Sequence, residues 1–502
     1  MSKTKNTLRL GAARFIGVAV QFISVPIVWD VLGGDLLGAC YFLIAISRWV
    51  SLIDIGYDIG IQRLMTRAFD SDDRERGFTL YRMHVLILLS HAAVGFGVFA
   101  ALGQFVVVPN LPGDTAYGSL FLAGAVVFSS QYLYMSSMVY FQATRQFKYV
   151  AMANGSQFLI SGLTGLGLTL WLRRPEAYLA GYSAGYGVVY LFNLYRGLGQ
   201  ARRAEGRQWF DKEAFKYCFG FGARLYPAKL CSVSMGTFDR ILITSILGPA
   251  KLTGYTNAAR YSEVASEALP LHQTLLPDLT KAHMEGKRNF AELVDRGSRI
   301  TLMVGCGILF IPCAFGGPLL QIWLQDKYVP EMAIVMLVLG MFRAFESYSA
   351  SLVMTMLASG APKKITLVTL VTAALVLALT YPAIITYGVI GAASIRLLIA
   401  LVLFVPVTWY IWRFVVPDIS FWPWISKLAG TMGIAVVFSA LGYWFCQTDR
   451  IVSTPWLALI VLPFFMVAFF YVVDLLQLAS IPESIKARIR NFVPRGGGKA
   501  GA

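Results

Sequence analysis

Charge is what this sequence has least of. Only 14% of its 502 residues are Asp, Glu, Lys or Arg, where a soluble globular chain carries about 25%. With 57% hydrophobic residues, that shortage excludes a soluble domain and points to an integral membrane protein. Cysteine is sparse too. Cys40, Cys218, Cys231, Cys306, Cys313 and Cys446 are scattered through apolar segments without metal-site spacing, so they read as small core residues. The four histidines, His84, His91, His272 and His283, have no ligand spacing; only His272, near Glu267, is placed to serve proton coupling. No nucleophile–base arrangement stands out. No G-x-x-x-x-G-K-[ST] loop is present, and the glycine-rich tail before Lys499 lacks the Ser/Thr. The expectation is a protein that is not an enzyme, with no cofactor and no metal.

Long alternating polar/apolar strands are missing as well. The apolar runs are about 20 residues long, so the spans are helices rather than barrel strands. About fourteen can be drawn, at 10–32, 36–57, 84–107, 118–140, 151–171, 177–198, 217–247, 252–275, 299–323, 332–358, 365–386, 388–412, 425–446 and 454–474. Lys3, Lys5 and Arg9 precede the first. That run is too long for a signal peptide and has no cleavage site, so it reads as an uncleaved span.

The net charge of +16 is a matter of topology. With the N-terminus inside, external connections hold Arg173, Arg174, Lys251, Lys327 and Arg450. The Arg63–Arg82 loop, the Arg196–Lys216 linker, the Lys281–Arg299 loop and the Lys486–Lys499 tail carry most of the rest. Both termini are therefore expected to be cytoplasmic, and the basic balance addresses membrane lipids rather than nucleic acid. External connections are too short for a folded domain. The linker after span 6 is basic and can start as an amphipathic surface helix. Asp70–Ser71–Asp72 loosely matches an acidic metal motif, but it lies among arginines and reads as a solvated loop.

An internal repeat is faint. Leu32–Gly33 opens the turn after span 1 (LGGDLLGACY), and Leu247–Gly248 opens the turn after span 7 (LGPAKLTGY). Two repeated bundles with a site between them would follow transporter logic.

Charge inside apolar spans costs roughly 2.5–3.5 kcal/mol per residue on insertion scales, so it marks function. The cations are Arg48, Arg224, Lys229, Arg240, Arg260, Arg343 and Arg396; the acids at similar depth are Asp239, Glu263, Glu267 and Glu346, with Asp54 and Asp58 nearer one end of span 2. Spacing allows Arg260–Glu263 and Arg343–Glu346 at i,i+3, and sets Glu263 and Glu267 at i,i+4. An excess of cations suits a cavity that receives an anion, and arginine suits phosphate. Arg48, Arg224, Lys229, Arg343 and Arg396 are the expected substrate-binding cations. Asp239, Arg240, Arg260, Glu263 and Glu267 are expected to gate or couple. The polar row of span 4 (Ser129, Ser130, Gln131, Tyr134, Ser136, Ser137, Gln142) either lines a carbohydrate path or packs helices.

Asp239, the Leu247–Tyr255 turn and Ala258–Arg260 resemble a region of the bacterial polysaccharide (O-antigen-type) lipid flippases. These belong to the superfamily that also holds multidrug extruders and the lipid II flippase. LIDIGYDIGIQRLMTRAF, VYFQATRQFKYVAMAN, LLPDLTKAHMEG and PLLQIWLQDKYVP agree with it, so the resemblance runs over nearly the whole chain. It carries family roles onto Asp239 and Arg260 alone. It implies an all-α membrane protein with two six-helix lobes in a V around a central cavity. The lobes fall at 1–198 and 217–413, joined by a linker at 199–216 and followed by two more helices at 414–476 and a basic tail at 477–502. It implies alternating access in a bacterial inner membrane, moving an undecaprenyl-pyrophosphate-linked oligosaccharide outward for cell-surface polysaccharide. Polysaccharide polymerase and glycosyltransferases would be partners. A cation-coupled multidrug extruder should have acids dominating its first-half cavity, which is the reverse of this chain. A glycosyltransferase would need a large loop or catalytic domain. A non-transporting component of a glycan assembly complex leaves the intramembrane charge without a purpose.

Overall fold

Helix follows helix along the chain because nothing else satisfies the backbone of a long apolar run without water. A computed structural model describes residues 3–52, 55, 57–107, 116–201, 208–268, 279, 282–283, 287–359 and 362–479. Its first helices are α1 (Lys3–Ser47), α2 (Tyr57–Asp70), α3 (Arg74–Leu102), α4 (Ala116–Ala143), α5 (Phe147–Leu172), α6 (Pro175–Ala201), α7 (Lys212–Leu247) and α8 (Pro249–Ala268). Then come α9 (Lys287–Val304), α10 (Gly316–Leu324), α11 (Pro330–Ala358), α12 (Pro362–Phe414), α13 (Phe421–Cys446) and α14 (Trp456–Leu475). Among the described residues, nine helices are long and apolar enough to cross a membrane. Their outer faces carry large apolar side chains such as Phe105, Val405, Val437 and Phe464, which water would penalise and lipid accepts. The protein is an all-α, multi-pass membrane protein.

Helix boundaries follow local chemistry. Asp73 caps α3 by accepting from the Arg76 amide at 3.2 Å, and Asp211 caps α7 by accepting from the Ala214 amide at 2.9 Å. The basic linker therefore ends in a capped membrane helix; residues 208–210 are not helical. Arg173 ends α5 in the left-handed region (φ 50°, ψ 39°), and Pro175 opens α6. The expected second span shortens. Its helix ends at Ser47, a 3-10 turn covers Arg48–Leu52, and α2 forms separately. Much of the expected Arg63–Arg82 loop is thus helical.

Gly33 (φ 79°, ψ 169°) breaks α1 into two helices, as Gly388 (φ 60°, ψ −140°) breaks α12. Gly248, between α7 and α8, has φ 88° and ψ 165°, nearly the conformation of Gly33. The faint sequence echo of the two Leu–Gly turns is a shared backbone geometry, one that a side chain would strain.

The chain divides into two compact units. The first is Met1–Asn257 with Thr366–Ile395, and the second is Ala258–Ile365 with Arg396–Ala502. In the first, α1 packs along α5, α5 along α6, α4 along α6, and α7 against α2 and α1. Tyr57, Ile61, Met65, Leu80, Met83 and Tyr140 centre its main core. In the second, α9, α11, α13 and α14 enclose Leu302, Phe310, Tyr348, Leu352, Trp424 and Phe469.

One contact in the first unit leaves no slack. A Cβ built on Gly38, in the second half of α1, would lie 2.0 Å from the carbonyl oxygen of Pro249 at the start of α8. No side chain can yield there, because the obstacle is backbone. Gly38→Ala should force the helices apart and cost about 1–3 kcal/mol, as overpacking does. The check is a lower midpoint of thermal unfolding in detergent. An unchanged midpoint would mean that the helices separate freely.

Candidate functional site

The stretch from Thr237 to Glu263 falls on the end of α7, the Gly248 turn and most of α8. In the first unit its polar groups meet α1. Asp239 is 2% exposed and accepts from the Tyr255 hydroxyl at 2.5 Å. Arg240, the next residue, is also buried. Trp49 Nε1 donates to Thr237 Oγ1 at 2.6 Å, and the Tyr41 hydroxyl donates to Asn257 Oδ1 at 3.3 Å. Thr253 Oγ1 donates to the Gly34 carbonyl at 2.7 Å. A Cβ on Gly34 would stand 3.7 Å from that of Ala250. Gly34, Gly38 and Tyr41 on α1 thus form a polar, close-packed seam with Pro249, Thr253 and Asn257 on α8.

The second unit holds an ion-pair cluster. Arg343 on α11 pairs with Glu346 one turn on and with Glu263 of α8 at 3.5 Å. Its guanidinium lies 5.7 Å from the Phe342 ring centroid, and that of Arg396 lies 5.8 Å from the same ring. Two guanidiniums therefore lie within about 6 Å of one ring centroid, and at Arg343 cation–π attraction adds to ion pairing. The expected Arg343–Glu346 pair is present. The described ion pair of Glu263 reaches across to α11, because half-buried carboxylates take whichever cation neighbouring helices bring close. Arg260 is half-buried one turn before Glu263 on α8.

The other expected site residues are dispersed. Arg48 is exposed at the first position of the 3-10 turn and lies within electrostatic reach of Tyr186. Lys229 is half-buried on α7. Arg224 is on α7 and Glu267 on α8, but their side chains lie outside the described residues, as do Asp54 and His272. Asp58 accepts from Ser136 Oγ at 2.5 Å.

The polar row of α4 is used up in packing. Ser129 donates to the Ala92 carbonyl, and Gln131 accepts from Ser47. Ser137 accepts from Asn193, and Gln142 accepts from Gln62. These are the polar bonds between helices that close-packed membrane bundles use. The residues of the seam do not stand out among 46 glycines. The usable signal is the G-x-x-x-G spacing of Gly34 and Gly38, the pattern of closely approaching apolar helices.

The fold is shared with transporters. The lipid II flippase MurJ in an inward closed conformation superposes with a TM-score of 0.69 at 11% identity, over 94% of this chain and 99% of that one. A transporter of the MOP superfamily from Pyrococcus furiosus gives 0.58 at 14% identity, over 81% and 95%. A MATE transporter from Vibrio cholerae gives 0.54 at 13%, over 81% and 96%. No curated protein matches the chain. By fold, then, this is a polytopic helical membrane protein with the helical architecture seen in MurJ and the MATE transporter. Residues 4–283 match the family described as polysaccharide biosynthesis protein, and the chain belongs to that family.

Proposed function

We propose that this protein is a flippase that carries an undecaprenyl-pyrophosphate-linked oligosaccharide from the cytoplasmic to the external leaflet of a bacterial inner membrane. One observation carries the reading: apolar, membrane-length helices of a polysaccharide biosynthesis protein hold Lys229, Arg240, Arg343 and Arg396 partly or fully buried. Cations at such depth are expensive in lipid, and a pyrophosphate is the charge that such groups neutralise best. In this mechanism the sugar and pyrophosphate enter from the cytoplasmic side while the polyprenyl tail stays in lipid. Arg48, Arg224, Lys229, Arg343 and Arg396 hold the anion in turn. Asp239, Arg240, Arg260, Glu263 and Glu267 gate or couple the passage, and the α1–α8 seam closes the external side. Both termini are then cytoplasmic, and polymerase and glycosyltransferases work on the two ends of the route.

Reconstitution tests this. Proteoliposomes holding fluorescent polyprenyl-pyrophosphate oligosaccharide should expose it to a membrane-impermeant quencher well above the protein-free rate. Movement at the protein-free rate, alongside efflux of a cationic dye, would replace the flippase with a cation-coupled extruder.

A further inference from the structure

The short helix α2 has a role that its packing alone does not explain. Its buried face, Tyr57, Ile61, Met65 and Ala68, is at most 6% exposed. The opposite face is polar. Gln62, Arg63, Thr66, Arg67 and Asp70, with Ser71 just beyond the helix, line an open cavity of about 740 Å³, within the roughly 300–1,000 Å³ of small-molecule sites. Among the described lining residues the one acid, Asp70, is already engaged, since its Oδ2 accepts from Arg145 Nη2 at 2.7 Å. Arg145 itself is not part of the wall. Among the described residues, the charged groups left to face the cavity are therefore the guanidiniums of Arg63 and Arg67, one helical turn apart. Arg63 is held in place, its guanidinium 5.5 Å from the centroid of the Phe221 ring on α7. Thr66 is fixed by donation to the Gln62 carbonyl at 2.8 Å, and the Gln62 amide is bonded to Gln142 at 3.1 Å.

We propose that Arg63 and Arg67 form a pyrophosphate-binding site on α2, distinct from the charges inside the membrane helices, where the substrate docks before it is carried. The inference rests on the flippase reading for its ligand. Side chains at i and i+4 stand about 5–6 Å apart at Cβ, so each guanidinium can take one phosphate of a pyrophosphate in forked hydrogen bonds. A phosphomonoester would engage one arginine and a pyrophosphate both, which gives the site a preference. The site loads and does not translocate: its loss should raise KM and leave kcat nearly intact.

The test uses the full chain in phosphatidylcholine nanodiscs, titrated with sugar-free polyprenyl pyrophosphate, polyprenyl monophosphate and phosphatidylglycerol. Wild type should bind the pyrophosphate most tightly, with affinity falling as salt rises. Arg63→Gln with Arg67→Gln should weaken that binding at least about tenfold, and Arg63→Lys with Arg67→Lys should recover part of it. Unchanged binding by the glutamine pair overturns the site. Equal binding of phosphatidylglycerol overturns the pyrophosphate preference and makes this a phospholipid contact. Transport is read separately in proteoliposomes. If wild type binds but moves nothing, the flippase reading fails and the site stands. If wild type transports and the glutamine pair keeps its KM, the site fails alone.

Discussion

Cysteines at positions 34 and 250 should form a disulfide that brings transport to background, and reduction should restore it. The geometry is favourable, since the Cβ positions of Gly34 and Ala250 are 3.7 Å apart, within the roughly 3.5–4.5 Å that a disulfide spans. The pair sits one helical turn from Gly38, where α1 and α8 meet backbone to backbone, and beside the Thr253–Gly34 hydrogen bond. If the seam opens once per transport cycle, one covalent bond across it stops every cycle. Gly34→Cys alone and Ala250→Cys alone serve as controls and should transport under the same oxidant. The six native cysteines are free thiols, five of them buried, so peptide mapping can assign the new bond. A cross-linked protein that still transports would show that the seam is structural and the gate lies elsewhere.

Arg343→Ala should abolish transport and lower stability by about 1–3 kcal/mol, a buried-pair cost reduced for partial exposure. Arg343 is 20% exposed, against 24% for Glu263 and 46% for Glu346. Removing it takes away the guanidinium that pairs with both Glu263 and Glu346. The two effects can be separated. Adding Glu263→Gln and Glu346→Gln to Arg343→Ala removes those two carboxylate charges, so the unfolding midpoint should return while transport stays lost. Recovery of transport in that triple variant would mean that Arg343 only balances the glutamates and never meets the substrate.

The two seam residues and the two ion-pair partners illustrate different limits of sequence reasoning. Periodicity is local, so the existence of helices and the breaks near Gly33 and Gly388 were open to it. The Arg343–Glu346 pair was legible too, because i,i+3 spacing on one helix determines proximity. Glu263 meeting Arg343 was not, because no spacing rule connects α8 with α11. Ser136 bonding Asp58 and Asn193 bonding Ser137 are likewise relations between helices. They turned a row that could have lined a sugar path into packing. Arg48 differs again: its charge was visible, but the 3-10 turn that exposes it depends on where the helix stops.

By itself, then, the sequence determined that this protein is helical and membrane-embedded, because lipid admits few backbone solutions and composition reports the solvent. It also determined the family, through short patterns spread along the chain. Which charges face one another, where α1 and α8 touch backbone to backbone, and that α2 turns two arginines into an open cavity were decided only by tertiary structure. Those outcomes depend on how helices rotate and cross, and a single side chain's neighbours across a helix interface are not written in its own helix.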